Sequence, residues 1–267
     1  MVIGYLDTAA GLAGAPVARK TAACLVEGAS LLLERHGRIA VDLSVPLLTA
    51  LDSTQVEQLG LHLRERQREA QERYLDANGR SRQRAREKRF IERTERWTGA
   101  LTENQRLLTG KAVRRMPDLS PGWLAYRETQ SQGLLVLLAS SADDASVRQY
   151  LERWWVHWQG LPTADEVGWN TARSVFIGWL VDMSQSLTPR QRRTLEQRLM
   201  SQRDEFATAY GAKPLPARPL PESVDCSALA FSNRMLSSLD FSAIHLAAGR
   251  DGITLALAAL RPGSAQL

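Results

Sequence analysis

The sequence predicts an all-α fold: an elongated multi-helix bundle of roughly seven to nine helices with one long polar helix, then a Pro-rich linker and a weakly helical C-terminal segment. Three observations carry this expectation. β-branched residues are sparse, and period-2 alternation of apolar and polar residues is not sustained anywhere. Apolar residues recur instead at helical spacing, as at Leu151, Trp154, Trp155 and Trp158. A short helix-initiating motif also occurs three times.

The motif reads Leu51-Asp52-Ser53-Thr54-Gln55, Leu101-Thr102-Glu103-Asn104-Gln105 and Leu187-Thr188-Pro189-Arg190-Gln191. Asp52, Thr102 and Thr188 are N-cap candidates, because a side-chain oxygen there accepts a bond from an orphan amide of the first turn. Gln55, Gln105 and Gln191, three residues on, have the reach to bond the cap amide and close a capping box. The residue four past the cap is Val56 in the first copy and Arg106 or Arg192 in the others. A hydrophobic staple in the latter two must therefore use Leu107 or Leu195, or be absent.

Along the chain, residues 1–15 carry no assigned element and read as a disordered or truncated N-terminus. Residues 16–210 form the helical domain. Pro16 suits the opening of a first helix running toward His36 and Gly37. Ile39–Leu51 forms a second segment, kinked or broken by Pro46. A polar stretch follows from about Asp52 to Trp97, with Gly79 as its bend or break. Further helices are expected from about Thr102, Pro121, Ser146, Ala164 and Thr188. Residues 211–225 hold four prolines and read as an extended linker. Residues 226–267 are rich in small residues and of uncertain order, with weak helical signals over 228–239 and 253–260.

Composition bounds the function. With 267 residues, 44% of them hydrophobic, the chain can build one large core or two small ones. The longest apolar run, Gly133–Ala139, is far short of the roughly 18–20 residues that span a bilayer. Two cysteines exclude a disulfide scaffold and a four-Cys zinc module. Cys24 and Cys226 are expected to be separate thiols, pairing only in an oxidising compartment. His36, His62, His157 and His245 show no metal-ligand spacing. No nucleophile elbow, phosphate-binding glycine loop or zinc-protease helix is present. Asp143-Asp144 and Asp165-Glu166 stand near helix starts, where cap and dipole roles explain them. No catalytic residue, cofactor or metal is assigned, and the protein is expected not to be an enzyme.

Charge is concentrated. Residues 61–96 contain twelve Lys/Arg and seven Asp/Glu, which accounts for the +5 of the whole chain. Such a stretch is either a solvated helix face laced by pairs such as Glu69–Arg73 and Glu92–Arg96, or a surface for acidic partners. On the second reading Arg80, Arg82, Arg84, Arg86, Arg89 and Arg93 are partner-binding candidates. Trp154, Trp155 and Trp158 join them: an aromatic helix face is either buried between neighbours or offered to a partner.

At the stretch from Arg84 through Phe90-Ile91 and Trp97-Thr98-Gly99-Ala100 to Leu101-Thr102-Glu103-Asn104-Gln105-Arg106, the chain resembles an uncharacterised bacterial envelope lipoprotein family. That family shares the L-T-x-x-Q motif of all-helical periplasmic stress proteins, some of them ATP-independent chaperones. Ser186 through Leu195 is the second matching stretch, and the resemblance covers about residues 30–210. It implies a helical fold and an envelope address but supplies no catalytic residues. Thr21-Ala22-Ala23-Cys24 lacks the leucine of a lipobox, and Arg19-Lys20 interrupts the apolar run before it. Membrane anchoring is thus expected only with a lipobox upstream of Met1, and a cytoplasmic location if Met1 is the true start. The leading expectation is a non-enzymatic envelope protein that binds other polypeptides, including unfolded clients, in the manner of a holdase. The alternative is a nucleic-acid-binding helical protein using residues 61–96; it gains from a pI near 9.5 and loses from the acids interleaved with the arginines.

Overall fold

A computed structural model describes residues 2–75 and 79–209. Among these the fold is an all-α bundle of nine α-helices: α1 (Val2–Leu12), α2 (Arg19–Thr49), α3 (Ser53–Leu75), α4 (Gly79–Thr98), α5 (Glu103–Arg115), α6 (Ser120–Ala139), α7 (Asp144–Leu151), α8 (Thr163–Ser186) and α9 (Pro189–Ala209). A π-helical turn, Glu152–Val156, continues α7. No strand occurs among the described residues. The linker and C-terminal segment expected over 211–267, with Cys226, lie outside them.

α2 is the spine, because its residues enter three separate apolar cores. Ala22 and Val26 join Phe176, Trp179 and Met183 of α8 and Ala112 and Met116 of α5 and the turn after it. Ala29 and Leu32 join Tyr5 and Leu6 of α1, with Leu199 and Phe206 of α9 against them. Val41 and Val45 join Val56 of α3, Leu134 and Leu138 of α6, and Val147 and Leu151 of α7. Each large side chain so buried contributes about 1.5–3 kcal/mol. In the first core Phe90 of α4 stands edge-on to Trp179 at 4.9 Å, and Phe176 stacks on Trp179 at 5.4 Å. The Trp179 indole donates to Thr109 Oγ1 at 3.2 Å, so its polar end is satisfied.

Four expectations are corrected. Residues 2–12 are helical and docked: the apolar face with Tyr5 and Leu6 lies on α2 and α9, and buried Arg203 of α9 pairs with Asp7 at 2.8 Å. The next helix starts at Arg19, and Pro16 belongs to the preceding turn. α2 then runs unbroken through Gly37 and Pro46. Gly37 is a contact residue, not a stop: a Cβ there would lie 2.9 Å from the Trp155 backbone oxygen. Pro46 falls in the last turn, where little helix remains to be interrupted. Finally, Cys24 is disulfide-bonded rather than a separate thiol.

All three capping boxes form. Asp52 accepts from Gln55 N at 2.9 Å, and Gln55 Oε1 accepts from Asp52 N at 3.0 Å. Thr102 and Gln105 bond in the same way at 3.3 and 2.9 Å, and Thr188 and Gln191 at 3.3 and 3.0 Å. α3, α5 and α9 each start one residue after the cap. No staple to Leu107 forms, since that side chain is 61% exposed. Leu101 and Leu187 are instead buried in the first core.

Candidate functional site

The aromatic face expected from Leu151, Trp154, Trp155 and Trp158 is divided by the π turn. His157 N donates to Glu152 O at 3.0 Å, five residues back, so one extra residue enters the turn and shifts the register. Trp154 and Trp155 stay with the second core beside Tyr150. Trp158 leaves the helix in a left-handed conformation, φ 52°, which is costly for a bulky residue. The loop that imposes it is tied to α6. Gln159 O accepts from the Tyr126 hydroxyl at 3.2 Å, and Gln159 N donates back to Arg153 O at 2.8 Å.

Trp158 thereby meets Trp123 of α6 at 5.2 Å and Trp169 of α8 at 5.8 Å. Trp123 and Tyr126 lie 5.6 Å apart. The indole N–H groups of Trp123 and Trp169 are buried without a hydrogen-bond partner. Such orphan donors cost about 1–3 kcal/mol each in stability. Trp158 and Trp169 face an open cleft of about 460 Å³ between α2, the 157–162 loop and α8. Leu33 and Val156 add apolar wall; Glu34, Glu166, Arg173, His157 and Asn170 supply polar and charged groups of both signs.

A second, apolar cavity of about 230 Å³ lies where α1, α2, α4, α8 and α9 converge, lined by groups such as Leu6, Leu25, Trp97, Leu180 and Leu195.

The basic candidates on α4 divide into two sets. Arg80 and Arg84 are exposed. Arg82 pairs with Asp118 at 3.3 Å, and Arg86 donates to Met116 O and Pro117 O at 3.1 and 2.8 Å. These two tie α4 to the turn before α6. Arg89 lies over the Tyr74 ring at 5.0 Å, and Arg93 is half-buried nearby. Sequence reasoning missed Tyr74, Arg127, Trp123 and Trp169 as members of these sites. Only long-range packing brings them in, and no local pattern marks them.

Asp143 caps α7, accepting from Ser146 N at 2.9 Å, and the Ser146 hydroxyl, with that amide, holds its carboxyl below the ordinary range. The Asp165 carboxylate sits over Gly122 in the first turn of α6, close enough that a Cβ there would have to displace it; it complements that helix's dipole. Among the described residues no group of three His, Cys, Asp or Glu is placed to hold a metal ion. None of the described helices is long and apolar enough to cross a membrane.

The fold and cleft thus define a class: an all-helical protein with three cores and an aromatic surface cleft. Residues 29–160 match the model of a family of unknown function, DUF6279. That stretch runs from within α2 through Trp158 and stops before α8. No curated protein and no solved structure matches the chain.

Proposed function

We propose that this is a non-enzymatic helical protein of the bacterial envelope that binds other polypeptides, with the cleft at Trp158 and Trp169 as its docking site. The observation that carries the reading is Trp158, a bulky residue held at positive φ with its ring on the cleft. Backbone strain of this kind persists where the surroundings over-determine it and gathers at functional sites. An indole floor beside mixed charge suits peptide side chains of varied chemistry, because indole supplies large apolar area at low entropic cost. The envelope address rests on the resemblance through the L-T-x-x-Q stretches, and the disulfide at Cys24 favours an oxidising compartment.

The test is suppression of client aggregation, read by light scattering at several-fold excess of protein. Wild type is expected to suppress scattering. Trp158→Ala is expected to lose most of that effect while keeping its helical circular dichroism. Trp154→Ala, outside the cleft, is expected to retain it. Absence of suppression by wild type, or equal activity in Trp158→Ala, would defeat the proposal.

A further inference from the structure

Tyr74, at the end of α3, is surrounded by arginines from three helices. The Arg89 guanidinium of α4 lies 5.0 Å from its ring centroid and that of Arg73 5.8 Å. Arg93 of α4 and Arg127 of α6 also lie near the Tyr74 side chain. None of these four guanidinium groups makes a hydrogen bond or ion pair with a carboxylate among the described residues. Arg89, Arg93 and Arg127 are partly buried. Burial holds all three below the ordinary arginine range; for Arg93 the neighbouring charges of Arg96, Arg89 and Arg73 push further the same way, while for Arg89 the more distant Asp118 and Glu92 carboxylates oppose the shift without bonding to it.

We propose that Arg73, Arg89, Arg93 and Arg127, gathered around Tyr74 where α3, α4 and α6 meet, form a binding site for a compact phosphate-type polyanion. Gathering four cations with no bonded carboxylate, three of them partly desolvated, works against folding, and the Asp118 and Glu92 carboxylates near Arg89 offset only part of that charge, so the cluster calls for a further counter-charge. A single carboxylate brings one charge and two oxygens. A diphosphate brings several charges and enough oxygens for four guanidinium forks, which match phosphate geometry bidentately. An extended nucleic-acid track is a poorer fit. Arg66 and Arg68, earlier in α3, are already engaged by Glu65, Glu69 and Glu72, so these two do not extend the cluster along that helix.

The experiment uses the full chain at constant ionic strength. Melting temperature and titration heat are followed against inorganic pyrophosphate. Co-sedimentation is measured with phosphatidylcholine vesicles with and without phosphatidylglycerol. Wild type is expected to show a saturable rise in Tm with pyrophosphate, or vesicle binding that depends on phosphatidylglycerol. The first outcome assigns the site to a soluble phosphate compound and the second to a lipid headgroup. Arg93→Gln/Arg127→Gln is expected to melt no lower than wild type without ligand and to bind at least tenfold more weakly. Arg66→Gln/Arg68→Gln is expected to bind as wild type does. Should the first variant not fold, phenylglyoxal labelling of wild type decides: the bound anion must protect Arg93 and Arg127 and leave Arg66 reactive. No saturable response to either probe overturns the proposal, as does a response that survives Arg93→Gln/Arg127→Gln or labelling without protection.

Discussion

The side-chain amides of Gln105 and Gln191 bond each other reciprocally. Each Nε2 donates to the other's Oε1, at 2.9 and 2.8 Å, although the two residues are 86 positions apart. Each Nε2 also donates to a backbone carbonyl beside the partner motif: Gln105 to Ser186 O and Gln191 to Ala100 O, both at 2.8 Å. Each Oε1 accepts from its own cap amide as well. Both amides are buried and have all four hydrogen-bonding positions filled. The α4–α5 and α8–α9 turns are therefore docked on one another by a closed polar network, with Leu101 and Leu187 in the apolar core beside it.

Truncating one partner strands the other. Gln105→Ala should destabilise by about 2–3 kcal/mol, because Gln191 and the Ser186 carbonyl lose buried partners. Gln105→Ala/Gln191→Ala should cost less than the sum of the two singles, with a coupling of about 1 kcal/mol or more. Urea unfolding of the four proteins measures the cycle, and strictly additive costs would contradict the pairing.

The caps should behave by chemistry. Thr102→Ala and Thr188→Ala should each cost about 0.5–2 kcal/mol, and the serine variants little. Asp52→Ala should fall at the low end of that range, because its box is exposed and makes no second contact. Thermal melts of the set give the ranking.

Two helical glycines should respond in opposite directions to alanine. At Gly4 in α1 nothing lies within 4 Å of an added Cβ, so Gly4→Ala should gain up to about 1 kcal/mol of helix propensity. At Gly37 the Trp155 oxygen is 2.9 Å away. Gly37→Ala should therefore lose about 1–3 kcal/mol, because the π turn must move to admit the methyl group. Chemical denaturation of both variants checks the sign.

Tyr5 makes stability sensitive to alkali. Its hydroxyl donates to Leu25 O at 2.9 Å, and burial raises its pKa well above the ordinary 10. Above about pH 10 the unfolded chain releases this proton while the folded chain keeps it. The unfolded state then binds fewer protons, and stability falls as pH rises. Tyr5→Phe should be about 1 kcal/mol less stable near neutrality from the lost bond but should decline less steeply above pH 10. Paired unfolding curves from pH 8 to 11 test this, and parallel declines would exclude Tyr5 as the cause.

What was legible in the sequence was what three or four neighbouring residues decide. Asp52, Thr102 and Thr188 cap helices because each needs only its own glutamine nearby, so α3, α5 and α9 could be started correctly. Gly37 and Pro46 misled, because a local breaker signal is silent about the neighbour that makes a glycine necessary. The tryptophan spacing assumed 3.6 residues per turn and failed where the π turn inserts one more. The basic stretch could be located by counting, but the arginines that gather at Tyr74 are chosen by how α6 packs on α3. Gln105 and Gln191 were readable as caps, and their mutual bond was not, since nothing local relates two positions so far apart.

The path of α2 through three cores has a kinetic consequence during synthesis. The helix is complete at Thr49, yet several of its apolar contacts wait for α7 and α8, which begin at Asp144 and Thr163. At about 5–20 residues per second, Val26, Val41 and Val45 remain without those partners for roughly 5–25 s on the ribosome. α1 and α3 are the neighbours along the chain that emerge early, and they cover only part of that surface. The nascent chain thus holds a long, half-covered helix through most of its translation, and its burial is completed only as α8 and α9 emerge.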